Sequence, residues 1–167
     1  MGIYTGKGDG GKTSDLSGCE VSKNSAAIHF VGTADEFNCH LGLIKAMISN
    51  EDSGRSACDF LEKIQKNLVI IMSHVSNVKN INFFLSDDEV ALLEKEIDRL
   101  SAGLPKQNRL IVPGKSILEA QIQIGRTIAR RAERLFFAAG EEQPLCPEAG
   151  AYLNRLSDYL FVLSQQE

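Results

Sequence analysis

The chain has 167 residues, of which 43% are hydrophobic and 24% are charged, and its formal net charge is −4. This length predicts a single domain over residues 1–167 that buries its own core. The composition excludes a disordered chain, and the mild acidity argues against nucleic-acid and membrane partners. The longest aliphatic stretch, residues 68–72, is too short to cross a bilayer, and no apolar signal region follows the start. We therefore expect a cytoplasmic protein.

The cysteines and histidines show no spacing typical of a metal site or a disulfide framework. No two cysteines stand in a C-x-x-C pattern, so we expect reduced thiols, as in a cytoplasmic protein. The histidines stand among apolar residues, which is more typical of core or surface positions than of metal ligands. These residues are Cys19, Cys39, Cys58, Cys146, His29, His40 and His74.

Apolar residues recur at steps of three and four along most of the chain, which predicts helices. Ser86 and Ser116 each stand three residues before a glutamate, and this spacing predicts two capping boxes. Pro147 suits the first turn of a last helix. The short loops predict an all-α fold, a five-helix bundle over residues 26–165 after an extended glycine-rich N-terminal segment over residues 1–24. The helices are expected at residues 26–49, 55–77, 86–101, 116–140 and 147–165.

Residues 6–13, GKGDGGKT, fit the P-loop pattern G-x-x-x-x-G-K-S/T letter for letter. A P-loop needs a buried strand before it and a helix directly after it, so that helix N–H groups surround phosphate. Too few residues precede the pattern for a strand, and residues 14–19 have no helical period, which excludes a P-loop NTPase. The segment is better interpreted as one that wraps an anion with its backbone amides, Lys7 and Lys12. Asp9 is then either a turn former or a magnesium contact.

Residues 126–134, RTIARRAER, form a strongly basic stretch in this acidic chain. At helical spacing three of its arginines share one face with a glutamate, and the fourth points elsewhere. Three guanidiniums on one stripe repel one another unless negative charge lies among them. Two interpretations remain open: bidentate binding of a triphosphate, or a salt-bridge lattice between neighbouring helices or subunits, with carboxylates of the first helix as its acidic half. The shared face holds Arg126, Arg130, Glu133 and Arg134, Arg131 lies outside it, and the first-helix carboxylates are Asp35 and Glu36.

The last predicted helix has a polar face of its own. Asn154 and Asp158 share that face. Arg155 stands three residues before Asp158, a spacing at which the two charges can pair. This face is expected to meet either the ligand or a neighbouring helix.

Four segments, in the family's order, carry motifs that resemble those of the PduO-type ATP:cob(I)alamin adenosyltransferases, and the likeness covers nearly the whole chain. Residues 3–14 carry the family's I-Y-T and G-D-x-G motifs, and Lys23 matches its following lysine. The first helix carries G-x-x-D-E-x-N over residues 32–38. The motifs R-T-x-x-R-R-A-E-R at 126–134 and N-R-L-S-D-Y-L-F at 154–161 are present in full.

The resemblance implies an enzyme that transfers the 5′-deoxyadenosyl group of ATP to the cobalt of reduced cob(I)alamin, giving adenosylcobalamin and triphosphate. Co(I) is itself a strong nucleophile, so the absence of a His-based dyad fits this chemistry. The likeness also implies Mg²⁺ and a homotrimer with active sites between subunits. A reductase and an adenosylcobalamin-dependent acceptor enzyme are the further partners it implies.

By the same likeness, the family's site residues carry over to matching positions. The implied catalytic residues are Arg126, Arg130 and Glu133, and Glu133 is also the implied magnesium contact. The implied cobalamin contacts are Leu110, Ile111, Val112 and Asp35, and Asp35 with Arg126 forms the pair that links one subunit to the next. The implied ATP ligands are Thr5, Gly6, Lys7, Gly8, Asp9, Thr13, Ser14, Lys23, Arg130, Arg131, Glu133, Arg134 and Asn154.

The sequence departs from the family at the cobalamin end. The family's F-I/V-L-P-G-G reads L-I-V-P-G-K here, with Leu110 for the phenylalanine that displaces the lower cobalt ligand and Lys115 for the second glycine. Its L-H-x-A reads I-Q-I-G, with Gln123 for the histidine. Leucine lacks the ring area of phenylalanine. Because the departures lie at the cobalamin end, we expect the nucleotide half of the site to match the family more closely than the cobalamin half does. The alternative functions are a carrier or sensor of ATP or adenosylcobalamin with weak or no turnover, and a purely structural oligomer.

Overall fold

Five α-helices make up most of the described structure. The computed structural model describes residue 4 and residues 6–48, 55–76, 85–105 and 111–166. Each predicted helix is confirmed to within two residues at its described ends. None of the described helices is both long enough and apolar enough to cross a membrane. The helices are α1 (Ala26–Ile48), α2 (Arg55–Val75), α3 (Asp87–Ser101), α4 (Ile117–Gly140) and α5 (Pro147–Ser164).

Helix α4 lies at the centre of the bundle, between α1 and α5. Helix α2 packs on α1 and α3 packs on α5. The bundle closes where α2 also meets α5 and α3: the Phe60 and Tyr159 ring centroids are 5.2 Å apart, and Asn67 bonds Glu89. The apolar faces of all five helices meet in one continuous core, where Phe30 of α1 contacts Phe136 of α4 edge to face, with ring centroids 5.5 Å apart. Helices α1 and α4 approach closely at Gly125, where an added Cβ would lie 3.2 Å from Ile44 Cδ1.

A small antiparallel hairpin lies in the N-terminal segment, which the sequence did not reveal as strands. Strand β1 (Lys12–Ser14) pairs with β2 (Glu20–Ser22). The Asp15 carboxylate closes the turn by accepting from the Ser17 hydroxyl (2.7 Å) and N–H (2.9 Å) and from the Cys19 N–H (2.8 Å). These hydrogen bonds, chiefly the one from the Ser17 side chain, lower the pKa of Asp15.

Only one of the two predicted capping boxes forms its serine bond. At the start of α4, Ser116 Oγ accepts from the Glu119 N–H at 3.0 Å. Ser86 stands at the N-cap of α3 but makes no side-chain capping bond, so the box predicted there is wrong. The Glu89 carboxylate instead accepts from Asn67 Nδ2 at 2.9 Å, because this donor on α2 lies within its reach.

Candidate active site

The glycine-rich loop turns directly into a strand. Gly6 and Gly11 have φ of +70° and +79°, a region that favours glycine, and β1 follows. A P-loop requires a helix at this point, so the prediction that the pattern is not a P-loop is confirmed. The Asp9 N–H donates to the Gly6 carbonyl (3.3 Å), which agrees with the interpretation of Asp9 as a turn former.

Lysines surround the glycine-rich loop. An added Cβ on Gly8 would lie 3.0 Å from Lys23 Nζ, so the Lys23 ammonium packs directly on the loop. The Glu20 carboxylate holds Lys12 Nζ at 2.6 Å on the exposed surface. Ammonium and backbone N–H groups together suit the binding of an anion here. A cleft of about 310 Å³ at the loop is lined by Lys7, Gly8, Lys12, Thr13, Ser14 and Glu20, whereas Thr5 lies outside the described residues.

A second cleft, of about 450 Å³, lies between the hairpin and helices α1 and α2. Asp35 of α1 lines this cleft together with Thr13 and Ser14 of the hairpin. Asp35 is exposed, and no cation of the described structure forms an ion pair with it. The fold thus brings Asp35 to the predicted nucleotide segment but not to Arg126. The apolar side chains of this cleft are Leu16, Ile28, Val31, Val69 and Met72.

The arginine stripe, which we define as Arg126, Arg130 and Arg134, runs along α4. Arg126 Nε donates to Gln123 Oε1 at 2.7 Å, and Arg134 Nη1 donates to the Arg130 carbonyl at 3.1 Å. None of the three forms an ion pair with a carboxylate of the described residues, and Arg130 and Arg134 are exposed. Their charges are therefore open to an anionic ligand.

Arg131 points away from the stripe, as predicted. It pairs with Glu36 of α1 at the exposed surface. Of the two carboxylates considered for a salt-bridge lattice, Glu36 therefore takes part, whereas Asp35 does not do so within the described chain. Within the described chain, a salt-bridge lattice accounts for Arg131 but not for the stripe.

Glu133 is held by the last helix. Asn154 Nδ2 donates to Glu133 Oε1 at 2.7 Å, and Asn154 Oδ1 accepts from Arg155 Nη1 at 2.7 Å. Arg155 Nε donates to Glu94 of α3 at 2.9 Å. The pair of Arg155 with Asp158 that the spacing allows therefore does not form, because a carboxylate on another helix takes the guanidinium. Three helices thus fix the orientation of Glu133 beside the stripe.

We call residues 110–116, directly before α4, the connector. In its described part it is held by the buried carboxylate of Glu119, which the sequence indicated only as a capping-box residue. Glu119 is fully buried, and its Oε2 accepts from the Gly114 N–H (2.7 Å) and the Lys115 N–H (3.2 Å). Gly114 has φ of +120°, which favours glycine. Of the predicted cobalamin contacts, Leu110 lies outside the described residues, Ile111 is half-buried and Val112 is 80% exposed. Sequence reasoning identified Glu119 only as a capping-box residue and missed its bonds to the connector; its place on the buried face of α4 was the available signal.

Two of the histidines, His40 and His74, make structural contacts between separate parts of the chain. His40 Nε2 lies 2.8 Å from the Gln121 carbonyl, and His74 Nε2 accepts from the Cys146 N–H at 3.2 Å. All four cysteines are free thiols in this structure. Burial, followed by the hydrogen bond to Glu148, raises the pKa of the Cys146 thiol.

Comparison with known proteins gives consistent matches over the whole chain. The family model for cobalamin adenosyltransferase matches residues 3–167. A cobalamin adenosyltransferase of Cupriavidus metallidurans is 37% identical, over 98% of this chain and 86% of the relative. A corrinoid adenosyltransferase of Bacillus subtilis is 34% identical, over 99% of this chain and 86% of the relative. A solved variant of the PduO-type ATP:corrinoid adenosyltransferase from Lactobacillus reuteri, complexed with cobalamin and ATP, is similar with a TM-score of 0.89 and 28% identity, covering 98% of this chain and 89% of that chain.

Proposed function

The chain belongs to the cobalamin adenosyltransferase family and is a corrinoid adenosyltransferase, and we propose which of its residues carry out the reaction. The 5′-deoxyadenosyl group of ATP is transferred to the cobalt of reduced cob(I)alamin. Co(I) supplies the electron pair of the new Co–C bond, the C5′–O bond of ATP breaks, and triphosphate leaves with that bond's electrons. Because no proton moves at the reacting carbon, the protein supplies positioning and stabilisation of the leaving anion.

The main support for this proposal is the arginine stripe, because its guanidiniums have no carboxylate partners in the described structure. Arg130 and Arg134 bind phosphate oxygens through charge-assisted, bidentate hydrogen bonds, which strengthen as negative charge grows on the leaving triphosphate. Arg126 acts at the reacting end of ATP. Asn154 orients Glu133 beside them. Arg131, which pairs with Glu36 at the surface, is proposed as a further ATP ligand at the rim of the site.

The glycine-rich loop and the hairpin bind ATP on the side opposite the arginine stripe. Their ammonium and backbone N–H groups suit phosphate oxygens. The adjoining 450 Å³ cleft is mostly apolar and lies in the size range of small-molecule sites, so it suits the adenosine half of ATP. The ligands proposed in this segment are Thr5, Gly6, Lys7, Gly8, Asp9, Thr13, Ser14 and Lys23.

Magnesium fits this arrangement as an ion carried by ATP. The described residues contain no group of three side chains suited to hold a metal by themselves. Glu133 has one carboxylate oxygen bonded to Asn154 and a second that makes no hydrogen bond in the described structure. Carboxylate and phosphate oxygens are the ligands that Mg²⁺ prefers. Glu133 would therefore hold Mg²⁺ together with the triphosphate, where the ion offsets the charge of the leaving group.

The connector before α4 contributes the cobalamin side. We place Leu110, Ile111 and Val112 against the corrin ring, where apolar side chains exclude water from the reduced cobalt. The exposed Val112 side chain has no cover in the described chain, as a contact to a large apolar ligand would require. Asp35 would approach the corrinoid from α1.

A site shared between subunits accounts for the separation of its parts. Asp35 and the nucleotide segment lie on the α2 side of α1, whereas the stripe lies on α4, on the flank that α5 contacts. We propose a homotrimer of single-domain chains, 1–167, in which Asp35 of one subunit pairs with Arg126 of the next. A reductase supplies cob(I)alamin, an adenosylcobalamin-dependent enzyme accepts the product, and the cytoplasm is the proposed location.

Anaerobic single-turnover measurements test this function. Protein, ATP, Mg²⁺ and chemically reduced cobalamin are mixed, the absorbance change of Co–C bond formation is followed, and triphosphate is measured in the same sample. The proposal predicts adenosylcobalamin and triphosphate in equal amounts. Folded protein that binds ATP and cobalamin without forming either product would support the carrier or sensor alternative.

A further inference from the structure

A chain of hydrogen bonds runs from α5 to the first arginine of the stripe, and the bond at its centre is buried. Gln123 of α4 is 4% exposed, and Ser164 of α5 is fully buried. Gln123 Nε2 donates to Ser164 Oγ at 2.9 Å, and Gln123 Oε1 accepts from Arg126 Nε at 2.7 Å. The Ser164 hydroxyl donates to the Phe161 carbonyl at 2.7 Å.

The direction in which these hydrogen bonds donate is fixed at the α5 end of the chain of bonds. A serine hydroxyl has one proton, and Ser164 uses it on the backbone carbonyl of Phe161. Its oxygen can then only accept, which agrees with a second donor, Gln165 Nε2, at 3.0 Å. The amide nitrogen of Gln123 must therefore face Ser164, and the amide oxygen must face Arg126.

Gln123 accepts a hydrogen bond from only one nitrogen of the Arg126 guanidinium. Its Nε–H is bound, whereas the four N–H groups on its two terminal nitrogens have no acceptor in the described residues. A long arginine side chain samples many rotamers unless part of it is held. The bond to Gln123 therefore restricts the side chain without occupying the groups that a carboxylate or phosphate would bind.

We propose that Gln123, set by Ser164, is a positioning residue for Arg126. It orders the Arg126 side chain so that its terminal N–H groups are presented together to their partners in the active site. This inference rests on the proposed role of Arg126 in the reaction. The device belongs to this chain, because Gln123 stands where the resembling family reads histidine.

The first measurement is independent of activity. The ¹⁵Nε–H resonance of Arg126, assigned by its loss in Arg126→Lys, should exchange slowly with solvent in the wild-type protein. In Gln123→Met, which keeps the side-chain length but removes the acceptor, this resonance should exchange fast or broaden. Gln121→Met, the same change two residues away on α4, is the matched control and should leave the resonance unchanged.

The second measurement separates positioning from folding. Gln123→Met should lower kcat by about tenfold to a hundredfold with little change in KM for ATP, as expected for lost positioning. Ser164→Ala, which lets the amide of Gln123 turn over, should give a smaller loss, and Gln123→His should restore much of the activity because a ring nitrogen can accept from Arg126. The Gln121→Met control should keep wild-type kcat.

The outcomes distinguish the two levels of the argument. Wild-type kcat in Arg126→Ala would overturn the proposed role of Arg126 itself. Loss of activity in Arg126→Ala, with wild-type kcat in Gln123→Met and Ser164→Ala, would overturn the positioning role alone. A slowly exchanging Arg126 Nε–H in Gln123→Met would do the same, whatever the kinetics.

Discussion

The amide of Asn154 donates to Glu133 Oε1 at 2.7 Å and so joins the last helix to the acidic residue beside the arginine stripe. The amide cannot be reversed, because its oxygen already accepts from Arg155 Nη1 at 2.7 Å. Arg155 is itself held by Glu94 at 2.9 Å. Glu133 thus keeps one orientation before any ligand arrives, as an oriented magnesium contact requires.

Replacing Asn154 by aspartate should disturb this arrangement most. In Asn154→Asp the donor becomes a carboxylate facing Glu133, and like charges this close repel. We expect turnover at fixed Mg²⁺ to fall by roughly tenfold, about 1.4 kcal/mol, and the Mg²⁺ requirement to rise. Initial rates over a Mg²⁺ titration measure both quantities. Asp158→Asn, at an exposed position of α5, is the control. An unchanged Mg²⁺ titration in Asn154→Asp would contradict the proposed role of Glu133 as a magnesium contact.

Gly8 offers a test of Lys23 without changing Lys23. A Cβ on Gly8 would lie 3.0 Å from Lys23 Nζ, so Gly8→Ala pushes the ammonium away from its position on the loop by a few tenths of an ångström. We expect KM for ATP to rise roughly three- to tenfold with little change in kcat, as for loss of ground-state binding. Gly10→Ala is the matched control, since its Cβ would meet nothing within 4 Å. Equal KM values for the two variants would argue against Lys23 as an ATP ligand.

Glu119 should stabilise the connector. Glu119→Ala removes the acceptor of two backbone N–H groups, Gly114 and Lys115, and leaves a cavity at a fully buried position. We expect the free energy of unfolding to fall by about 1–3 kcal/mol, measured by urea denaturation. Glu119→Gln keeps an acceptor oxygen and should lose less. Unaltered stability and amide exchange at Gly114 in Glu119→Ala would mean that the carboxylate does not hold the connector.

Cys146 should react more slowly than the exposed thiols of Cys19 and Cys39 at mildly alkaline pH. Burial and the hydrogen bond to Glu148 raise its pKa, so the unreactive protonated form persists to higher pH than for an ordinary cysteine. Iodoacetamide at pH 8.5, followed by mass spectrometry, should modify the exposed Cys19 and Cys39 first. Glu148→Gln removes a negative charge that disfavours the thiolate and should speed labelling of Cys146. Labelling of Cys146 as fast as Cys39 would contradict this account.

The helices could be predicted from the sequence because their apolar period extends over many turns. The hairpin could not, since three-residue strands such as Lys12–Ser14 show too few alternations to reveal a period of two. Residue partners failed where they lie far apart in the chain: Arg155 meets Glu94 rather than Asp158, and Glu89 meets Asn67 rather than its own helix start. Motifs therefore indicated the site residues, whereas the contacts that orient them required the fold.

The central claim is that ATP binds between the nucleotide segment of one subunit and the arginine stripe of the next. Arg130→Ala should inactivate the stripe and Lys23→Glu the segment, each variant keeping its fold. The two inactive proteins are mixed, unfolded and refolded together, and native mass spectrometry checks that mixed trimers form. With random mixing, about a quarter of the interfaces combine an intact segment with an intact stripe, so Co–C bond formation should return to about a quarter of the wild-type rate. Mixed trimers that remain as inactive as either variant alone would contradict the shared site.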